Sequence, residues 1–170
     1  MKRIWIAGSA GSGKTTLANL LGKKLDIPVY HRDSVTWVNG GVVSRNEDEQ
    51  IAMVKNITQN EKWLFEGARF TASKVDGRLA RCDTIINLDL SRFICLYRVI
   101  KRGFRTAKRL DLPEMERQPF DLELLKYVLH DYPKKRKQRE AVFELARQKG
   151  SKVIIMKSRK AVEKLLNNCI

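Results

Sequence analysis

Cysteine and histidine are scarce in this chain, with three cysteines and two histidines among 170 residues. Cys82, Cys95 and Cys169 form no C-x-x-C pair and are odd in number, which argues against a disulfide framework or a zinc site. No apolar run approaches the ~20 residues of a membrane span, and the apolar stretch at residues 4–7 is too short for a signal peptide. We therefore expect a cytoplasmic protein with reduced thiols and no membrane partner.

Linkers rich in proline or glycine, internal repeats and low-complexity segments are also missing, so residues 1–170 are expected to form one domain. Acidic residues are few relative to basic ones. The chain has 19 Asp and Glu and 34 Lys and Arg, which gives a net charge of +15. This excess suits polyanionic partners such as nucleotides or nucleic acids, and charge alone does not choose between them. A monomer and a homodimer are equally compatible with the sequence.

A glycine-rich loop at residues 8–15 is the most specific motif. It reads G-x-x-x-x-G-K-T between an apolar strand-like segment and a helix-like run of leucines, which is the context of a phosphate-binding loop. The expected nucleotide contacts are Gly8, Ser9, Ala10, Gly11, Ser12, Gly13, Lys14, Thr15 and Thr16. The motif predicts binding of a nucleoside triphosphate such as ATP, with Lys14 on the β- and γ-phosphates and the Thr15 hydroxyl on Mg²⁺.

Apolar and amphipathic segments alternate along the rest of the chain. Strands are expected at residues 2–7, 29–31, 62–65, 84–88 and 152–156, and helices at 46–60, 91–108, 121–132, 133–150 and 160–168. Short apolar strands separated by helices indicate a parallel sheet covered on both faces. The predicted fold class is a three-layer α/β/α P-loop domain with five parallel strands, and ligands in such sheets bind at the carboxyl ends of the strands.

Three acidic residues fall at predicted strand ends. Glu66 is expected to hold Mg²⁺, directly or through water. Asp33 has a functional and a structural interpretation. In the first it is a ligand of Mg²⁺ or of water, or a base for an acceptor group, and in the second it is a turn or cap residue. Asp89 is expected to cap the next helix. Trp37 and Phe70 either pack against a nucleotide base or anchor the core and loops.

The helix expected at 91–108 carries an apolar and a basic stripe. The predicted buried stripe is Phe93, Leu96, Tyr97, Ile100 and Phe104. The basic stripe is Arg98, Arg102, Arg105 and Arg109, spaced by four, three and four residues. These arginines either bind phosphate, which Arg contacts bidentately, or form a solvated face. A second basic cluster at residues 134–137 and Arg139 lies at a predicted helix start, where positive charge opposes the helix dipole, and it either serves function or forms a charged surface turn.

The order of these features resembles that of the DNA topology modulation proteins, which are small P-loop proteins related to adenylate kinases. The shared features are the glycine-rich loop, Asp33 with Trp37, residues 63–67 (WLFEG), residues 82–89 (CDTIINLD), Arg98 with Arg102, and residues 121–133 (DLELLKYVLHDYP). The resemblance covers almost the whole chain. By similarity to nucleoside monophosphate kinases it implies the strand order 2-3-1-4-5 and a short lid segment at about 103–120.

The likeness to adenylate kinases also implies roles for individual residues. Residues 66–71 (EGARFT) are similar to an Asp-Gly-Phe-Pro-Arg-Thr stretch of that family, which would make Glu66 a ligand of Mg²⁺-bound water and Arg69 a clamp on the acceptor's phosphate. In this chain Glu replaces Asp, Ala68 replaces the Phe-Pro pair, and the lid lacks zinc-binding cysteines. These departures argue against AMP as the acceptor more than they argue against phosphoryl transfer.

The likeness to adenylate kinases also implies roles for the basic residues. Arg98 and Arg102 match arginines that meet the base and phosphates of ATP, and Arg136 or Arg139 would be a lid arginine. The expected function is Mg²⁺-dependent phosphoryl transfer from ATP to a nucleotide or nucleoside. Two alternatives stay open: a kinase for a non-nucleotide hydroxyl, with Asp33 as base and Arg69 on a carboxylate or phosphate, and a nucleotide-switched nucleic-acid-binding protein linked to DNA topology.

Overall fold

The computed structural model describes residues 1–38, 43–103 and 122–168. The strands in these ranges are β1 (Arg3–Gly8), β2 (Val29–His31), β3 (Trp37–Val38), β4 (Val43–Ser44), β5 (Trp63–Glu66), β6 (Thr84–Leu88) and β7 (Lys152–Met156). The helices are α1 (Lys14–Leu25), α2 (Arg32–Thr36), α3 (Glu47–Gln59), α4 (Arg78–Arg81), α5 (Arg92–Gly103), α6 (Leu122–Lys126), α7 (Tyr132–Lys134), α8 (Arg136–Gln148) and α9 (Arg159–Asn168). No described helix is long and apolar enough to cross a membrane.

Five parallel strands form one sheet in the spatial order β2-β5-β1-β6-β7, which is 2-3-1-4-5 when these five are counted along the chain. The register aligns Glu66 with Ile6 of β1 on one side and with His31 of β2 on the other. Because parallel strands end at the same edge of a sheet, the loop after β1 lies beside the ends of β2 and β5. The short strands β3 and β4 form a separate antiparallel pair.

The side chains of β1 show why helices cover both faces of the sheet. Side chains alternate along a strand, so Trp5 and Ala7 face one helical layer while Ile4 and Ile6 face the other. All four are fully buried. The first layer is formed by α3, α4 and α8, and the second by α1 and α9. The predicted three-layer α/β fold is therefore confirmed.

Helix α5 buries a different face from the one predicted. Cys95 and Val99 are buried against Val128, whereas Phe93 and Tyr97 are 64% and 61% exposed. The predicted stripe is wrong at these two positions because residues 93–97 are all apolar and select no face by periodicity alone. Phe104, Arg105, Arg109 and the lid segment expected up to residue 120 lie outside the described residues.

The chain after residue 121 is also divided differently from the prediction. A π-helical stretch, Tyr127–Asp131, follows α6 and runs directly into α7. Pro133 is the second residue of α7, directly after the π-helical stretch, and it has no backbone N–H to donate to that stretch. The long helix begins at Arg136 and not at Pro133. Helix α2 and the β3–β4 pair were not predicted.

The described cysteines agree with the prediction of reduced thiols. Cys82 and Cys95 are buried and free, and Cys169 lies outside the described residues. Burial raises the pKa of the Cys82 thiol to about 11 and also raises the pKa of Cys95. Both side chains are therefore neutral thiols near pH 7, and neither is an activated nucleophile.

The aromatic packing under the sheet generates a stability prediction. Phe143 of α8 is 3% exposed and packs edge-on against Phe70 with ring centroids 5.8 Å apart. We expect Phe143→Ala to lower the free energy of unfolding in urea by about 3–5 kcal/mol, because the truncation leaves a cavity. The exposed Phe93 is the matched control, and Phe93→Ala is expected to change that free energy by no more than about 0.5 kcal/mol. Equal effects of the two variants would contradict this assignment of the core.

Candidate active site

The glycine-rich loop between β1 and α1 is shaped by two left-handed glycines and by α5. Gly11 (φ 75°) and Gly13 (φ 94°) adopt a conformation that L side chains rarely take. A Cβ on Gly11 would lie 2.3 Å from the carbonyl oxygen of Cys95, so no other residue fits there without a shift of the backbone. The buried hydroxyl oxygens of Ser9 and Ser12 have no hydrogen-bond partner. Buried hydroxyl groups that the protein leaves unpaired fit a loop whose hydrogen bonds are completed by a bound ligand or by water.

The carboxylate of Glu66 lies beside this loop, and the residue is only 6% exposed. Its Oε1 lies 3.7 Å from Nζ of Lys14. Its Oε2 accepts hydrogen bonds of 3.3 Å from the Thr15 hydroxyl and from Nδ1 of His31. Nζ of Lys14 also donates to the carbonyl oxygen of Ser9 at 3.0 Å. The structure thus brings together the loop lysine, the loop threonine and the strand-end acid that the sequence singled out.

The donor set formed by Thr15 and Glu66 suits a magnesium ion. Mg²⁺ prefers oxygen ligands and is usually held by one or two protein groups, with phosphates and waters completing its shell. The described residues contain no group of three or more His, Cys, Asp and Glu side chains arranged to hold a metal by themselves. A hydroxyl and a carboxylate 3.3 Å apart therefore fit an ion that arrives with nucleotide phosphates.

His31 is a member of the site that sequence reasoning missed. An isolated histidine carries no signal by itself, and its position became informative only through the pairing of β2 with β5, which aligns it with Glu66. The ionised carboxylate is an acceptor only, so the His31 contact requires that Nδ1 carries the proton. His31 therefore helps to hold the Glu66 carboxylate in place.

The predicted arginines of α5 lie at different distances from the loop. Nη1 of Arg98 donates long hydrogen bonds of 3.5 Å to the carbonyl oxygens of Gly11 and Ser12. Arg102 is exposed one turn further along the helix. The structure therefore places Arg98 against the loop and leaves Arg102 reachable from solvent.

Arg136 and Arg139, the two alternatives for a lid arginine, differ sharply in environment. The Arg136 side chain is 75% exposed and pairs with Glu140 one turn along α8 at 2.7 Å, an interaction that raises the pKa of Arg136. Arg139 is buried, stacks 4.0 Å from the ring centroid of Tyr132 and donates to the carbonyl oxygen of Tyr132. Its Nη2 lies 4.0 Å from Oδ1 of Asp89, directly after β6. Among the described residues, Arg139 contacts Asp89 at the carboxyl edge of the sheet, and Arg136 contacts Glu140.

The residues predicted for the acceptor lie on the other side of Glu66. Asp33 is partly buried in the first turn of α2. Arg69 donates to Oε1 of Gln50 at 2.9 Å and to Oε1 of Glu47 at 2.7 Å. Trp37 is partly buried in β3. Phe70 packs between Trp5 and Phe143 in the core, so the interpretation of Phe70 as a base-stacking residue is wrong.

A narrow recess of about 20 Å³ lies between α2, α3 and the end of β5, which is roughly the space of one or two water molecules. Its wall carries three arginines and a set of apolar and amide side chains. The lining residues are Arg32, Val35, Gln50, Ile51, Val54, Phe65, Arg69, Ala72, Asp76 and Arg78. We call it the arginine recess, and only Arg69 among its arginines was predicted as a functional residue.

Arg78 is a structural member of the arginine recess. It is 2% exposed, forms a salt bridge of 2.6 Å with Asp76 and donates to the carbonyl oxygen of Arg69 at 2.8 Å. Its guanidinium also lies 4.8 Å from the ring centroid of Trp5 and 5.0 Å from that of Phe65. A buried guanidinium paired in this way is fully engaged by the protein itself.

Comparison with known proteins identifies the fold. No family model matches the sequence, and no curated protein matches it significantly. The solved structures that resemble it include a shikimate kinase from Acinetobacter baumannii in complex with shikimate, with a TM-score of 0.59, 16% identity and coverage of 99% of this chain and 90% of that chain. Shikimate kinase from Bacteroides thetaiotaomicron has a TM-score of 0.57, 16% identity and coverage of 98% and 95%. The chain therefore has the P-loop kinase-like α/β fold of these proteins, and membership of the DNA topology modulation family stays a prediction.

Proposed function

We propose that the protein is an ATP-dependent phosphotransferase that phosphorylates a hydroxyl group of a small acceptor. The observation that carries this proposal is the convergence of Lys14, Thr15 and Glu66 on a glycine-rich loop with two unpaired buried hydroxyl oxygens. A transferase also needs a second substrate, and Asp33 in α2 and Arg69 after β5, on the far side of Glu66, are the residues proposed to contact it. The kinase names of both structural neighbours support the same reading.

The glycine-rich loop and Glu66 form the proposed nucleotide-binding side of the site. The loop amides and Lys14 would bind the phosphates of ATP, and Thr15 and Glu66 would hold Mg²⁺. When bound, Mg²⁺ neutralises charge on the β- and γ-phosphate oxygens. Arg98, Arg102 and the more deeply placed Arg139 would stabilise the negative charge that spreads over the transferred group, which is the main catalytic contribution in this chemistry.

On the acceptor side, Asp33 would take the proton of the attacking hydroxyl. A bond then forms between the acceptor oxygen and the γ-phosphorus while the bond to the β,γ-bridging oxygen breaks, and ADP leaves with the electron pair. Arg69 would orient the acceptor, with Trp37 near the entrance. A nucleoside and a non-nucleotide hydroxy compound are both compatible with these roles, whereas a nucleotide phosphorylated on its phosphate would attack through a phosphate oxygen and would need no base at Asp33. The net charge of +15 also motivates the nucleic-acid reading, but no contact among the described residues singles out such a surface.

Removal of the loop lysine tests the nucleotide site. We expect Lys14→Ala to lower acceptor-dependent ADP formation at least about 100-fold, because a charge that stabilises the transferred phosphoryl group is lost. The variant should stay folded, with a lower melting temperature because the buried Glu66 carboxylate loses the cation beside it. Lys23→Ala, at the exposed end of the same helix, is the control and should keep wild-type turnover. An active or an unfolded Lys14→Ala protein would refute the assignment.

Substitution of the buried acid tests the metal site. Glu66→Gln should raise the Mg²⁺ concentration for half-maximal activity about 10- to 100-fold. Calorimetric titration of ATP without Mg²⁺ should show retained or tighter binding, because a negative charge beside the phosphates is removed. If Mg²⁺-free binding falls as much as the Mg²⁺-dependent activity, Glu66 does not belong to the metal site.

The arginines of α5 give a kinetic test. We expect Arg102→Ala to lower kcat at least about 100-fold with little change in KM, because charge stabilisation used only in the transition state affects kcat. Lys101→Ala removes the same charge from the neighbouring residue, whose Nζ lies 5.6 Å from the Tyr97 ring centroid, and should leave kcat unchanged. Steady-state kinetics with equal losses in both variants would indicate a general effect of surface charge instead.

A further inference from the structure

Arg139 is a buried cation whose charge is only partly balanced by the described residues. Its ion pair with Asp89 spans 4.0 Å, and the Asp89 side chain is 42% exposed and screened by water. The buried Arg78, by contrast, pairs with Asp76 at 2.6 Å, and both of these side chains are 2% exposed. A buried guanidinium needs compensation. For Arg139 much of it comes from neutral groups, which leaves positive charge at the carboxyl edge of the sheet.

Tyr132 supplies these neutral groups. The two residues lie on either side of a break at Lys135, which ends α7 and precedes α8. The Arg139 guanidinium lies 4.0 Å from the centroid of the Tyr132 ring and donates a hydrogen bond to the Tyr132 carbonyl oxygen. A cation over the face of an aromatic ring is attracted by the quadrupole of the ring. A single residue therefore fixes where the guanidinium lies.

The Tyr132 ring is itself anchored to the sheet. Its hydroxyl donates a hydrogen bond of 3.3 Å to Oδ1 of Asn87, and both residues are buried. Burial raises the pKa of Tyr132, so the hydroxyl keeps the proton that it donates. Tyr127 packs edge-on against the ring, with centroids 6.0 Å apart. Asn87 in β6 is the register partner of Ala7 in β1, directly before the glycine-rich loop. The anchor thus ties the guanidinium to the strands that carry the proposed nucleotide site.

From these contacts we infer that Tyr132 is a positioning residue, which holds the Arg139 guanidinium where negative charge develops on the transferred phosphoryl group. The inference rests on the proposed function, which places Arg139 at that group, and adds the residue through which its position is set. A cation that is held in place beforehand stabilises the transition state without reorganising during the reaction. Loss of the Tyr132 ring should therefore weaken binding of the transition state and spare binding of the ground-state nucleotide.

The test compares two complexes of the full chain. Calorimetry in Mg²⁺ measures the affinity for ADP alone and for ADP with aluminium fluoride, which mimics the transferred phosphoryl group. We expect the wild type to bind the fluoride complex at least about 100-fold more tightly than ADP. Tyr132→Leu should reduce this ratio of affinities at least about tenfold, and Tyr132→Phe, which keeps the ring, should give a ratio between the two. The affinity for ADP alone should change by no more than about twofold in either variant.

A double-mutant cycle separates positioning from structural support. In an Arg139→Gln background, Tyr132→Leu should reduce the ratio no further, because the group that it positions is already gone. Phe143→Leu is the matched control, since it truncates an aromatic ring of the same layer that packs on Phe70. It should lower the melting temperature and keep the wild-type ratio. Melting curves check that each variant is folded, and the cycle is run with Tyr132→Phe if Tyr132→Leu does not fold.

Three results would overturn the inference: equal loss of the ratio in the Tyr132 and Phe143 variants, additive losses in the double variant, or a wild type that binds the fluoride complex no better than ADP. Failure of the wild type to bind ADP at all would overturn the proposed function, and the inference with it. A ratio that depends on Tyr132 and Arg139, in a protein that hydrolyses ATP but phosphorylates no acceptor, would refute the proposed kinase function while the positioning role stands.

Discussion

The buried carboxylate of Glu66 is the interaction on which the geometry of the site depends. A carboxylate removed from water is tolerated only when charges and donors compensate it, and here Lys14, Thr15 and His31 do so. These partners come from the glycine-rich loop, the start of α1 and the end of β2. Loss of this carboxylate would therefore remove a partner that these three parts of the chain share.

The carboxyl ends of β2 and β5 lie between the proposed nucleotide site and the proposed acceptor site. Glu66 and His31 are register partners, and the residues that follow them, Gly67 and Arg32, are in direct contact. The carbonyl oxygen of Gly67 accepts a hydrogen bond of 2.7 Å from the indole of Trp5 in the core. The sheet edge thus sets the separation between the loop that would hold ATP and the residues after β2 and β5, where the acceptor is proposed to bind. Phosphoryl transfer depends on such positioning, because the protein contributes little covalent chemistry.

Much of this arrangement follows from the sequence for physical reasons that act locally. The glycine-rich loop, the apolar β1 and the acid after β5 depend on nearest neighbours along the chain, and they predicted the fold class and the Lys14–Thr15–Glu66 group. His31 could not be predicted, because its role arises from a strand pairing with a residue 35 positions away. Phe93 and Tyr97 were misplaced because an unbroken apolar run has no preferred face. Arg69 lines the recess and Asp33 lies in the first turn of α2, and the roles of both residues stay predictions.

The central claim is that ATP and a small hydroxy compound react at this edge of the sheet. The most direct measurement is phosphorus-31 NMR of the full chain with Mg²⁺ and ATP, in the presence of a panel of nucleosides, nucleotides, hydroxy acids and their neutral analogues. The account predicts one phosphorylated acceptor formed per ADP, at a rate well above release of inorganic phosphate. Release of inorganic phosphate at the same rate with every compound, and no phosphorylated product, would contradict it.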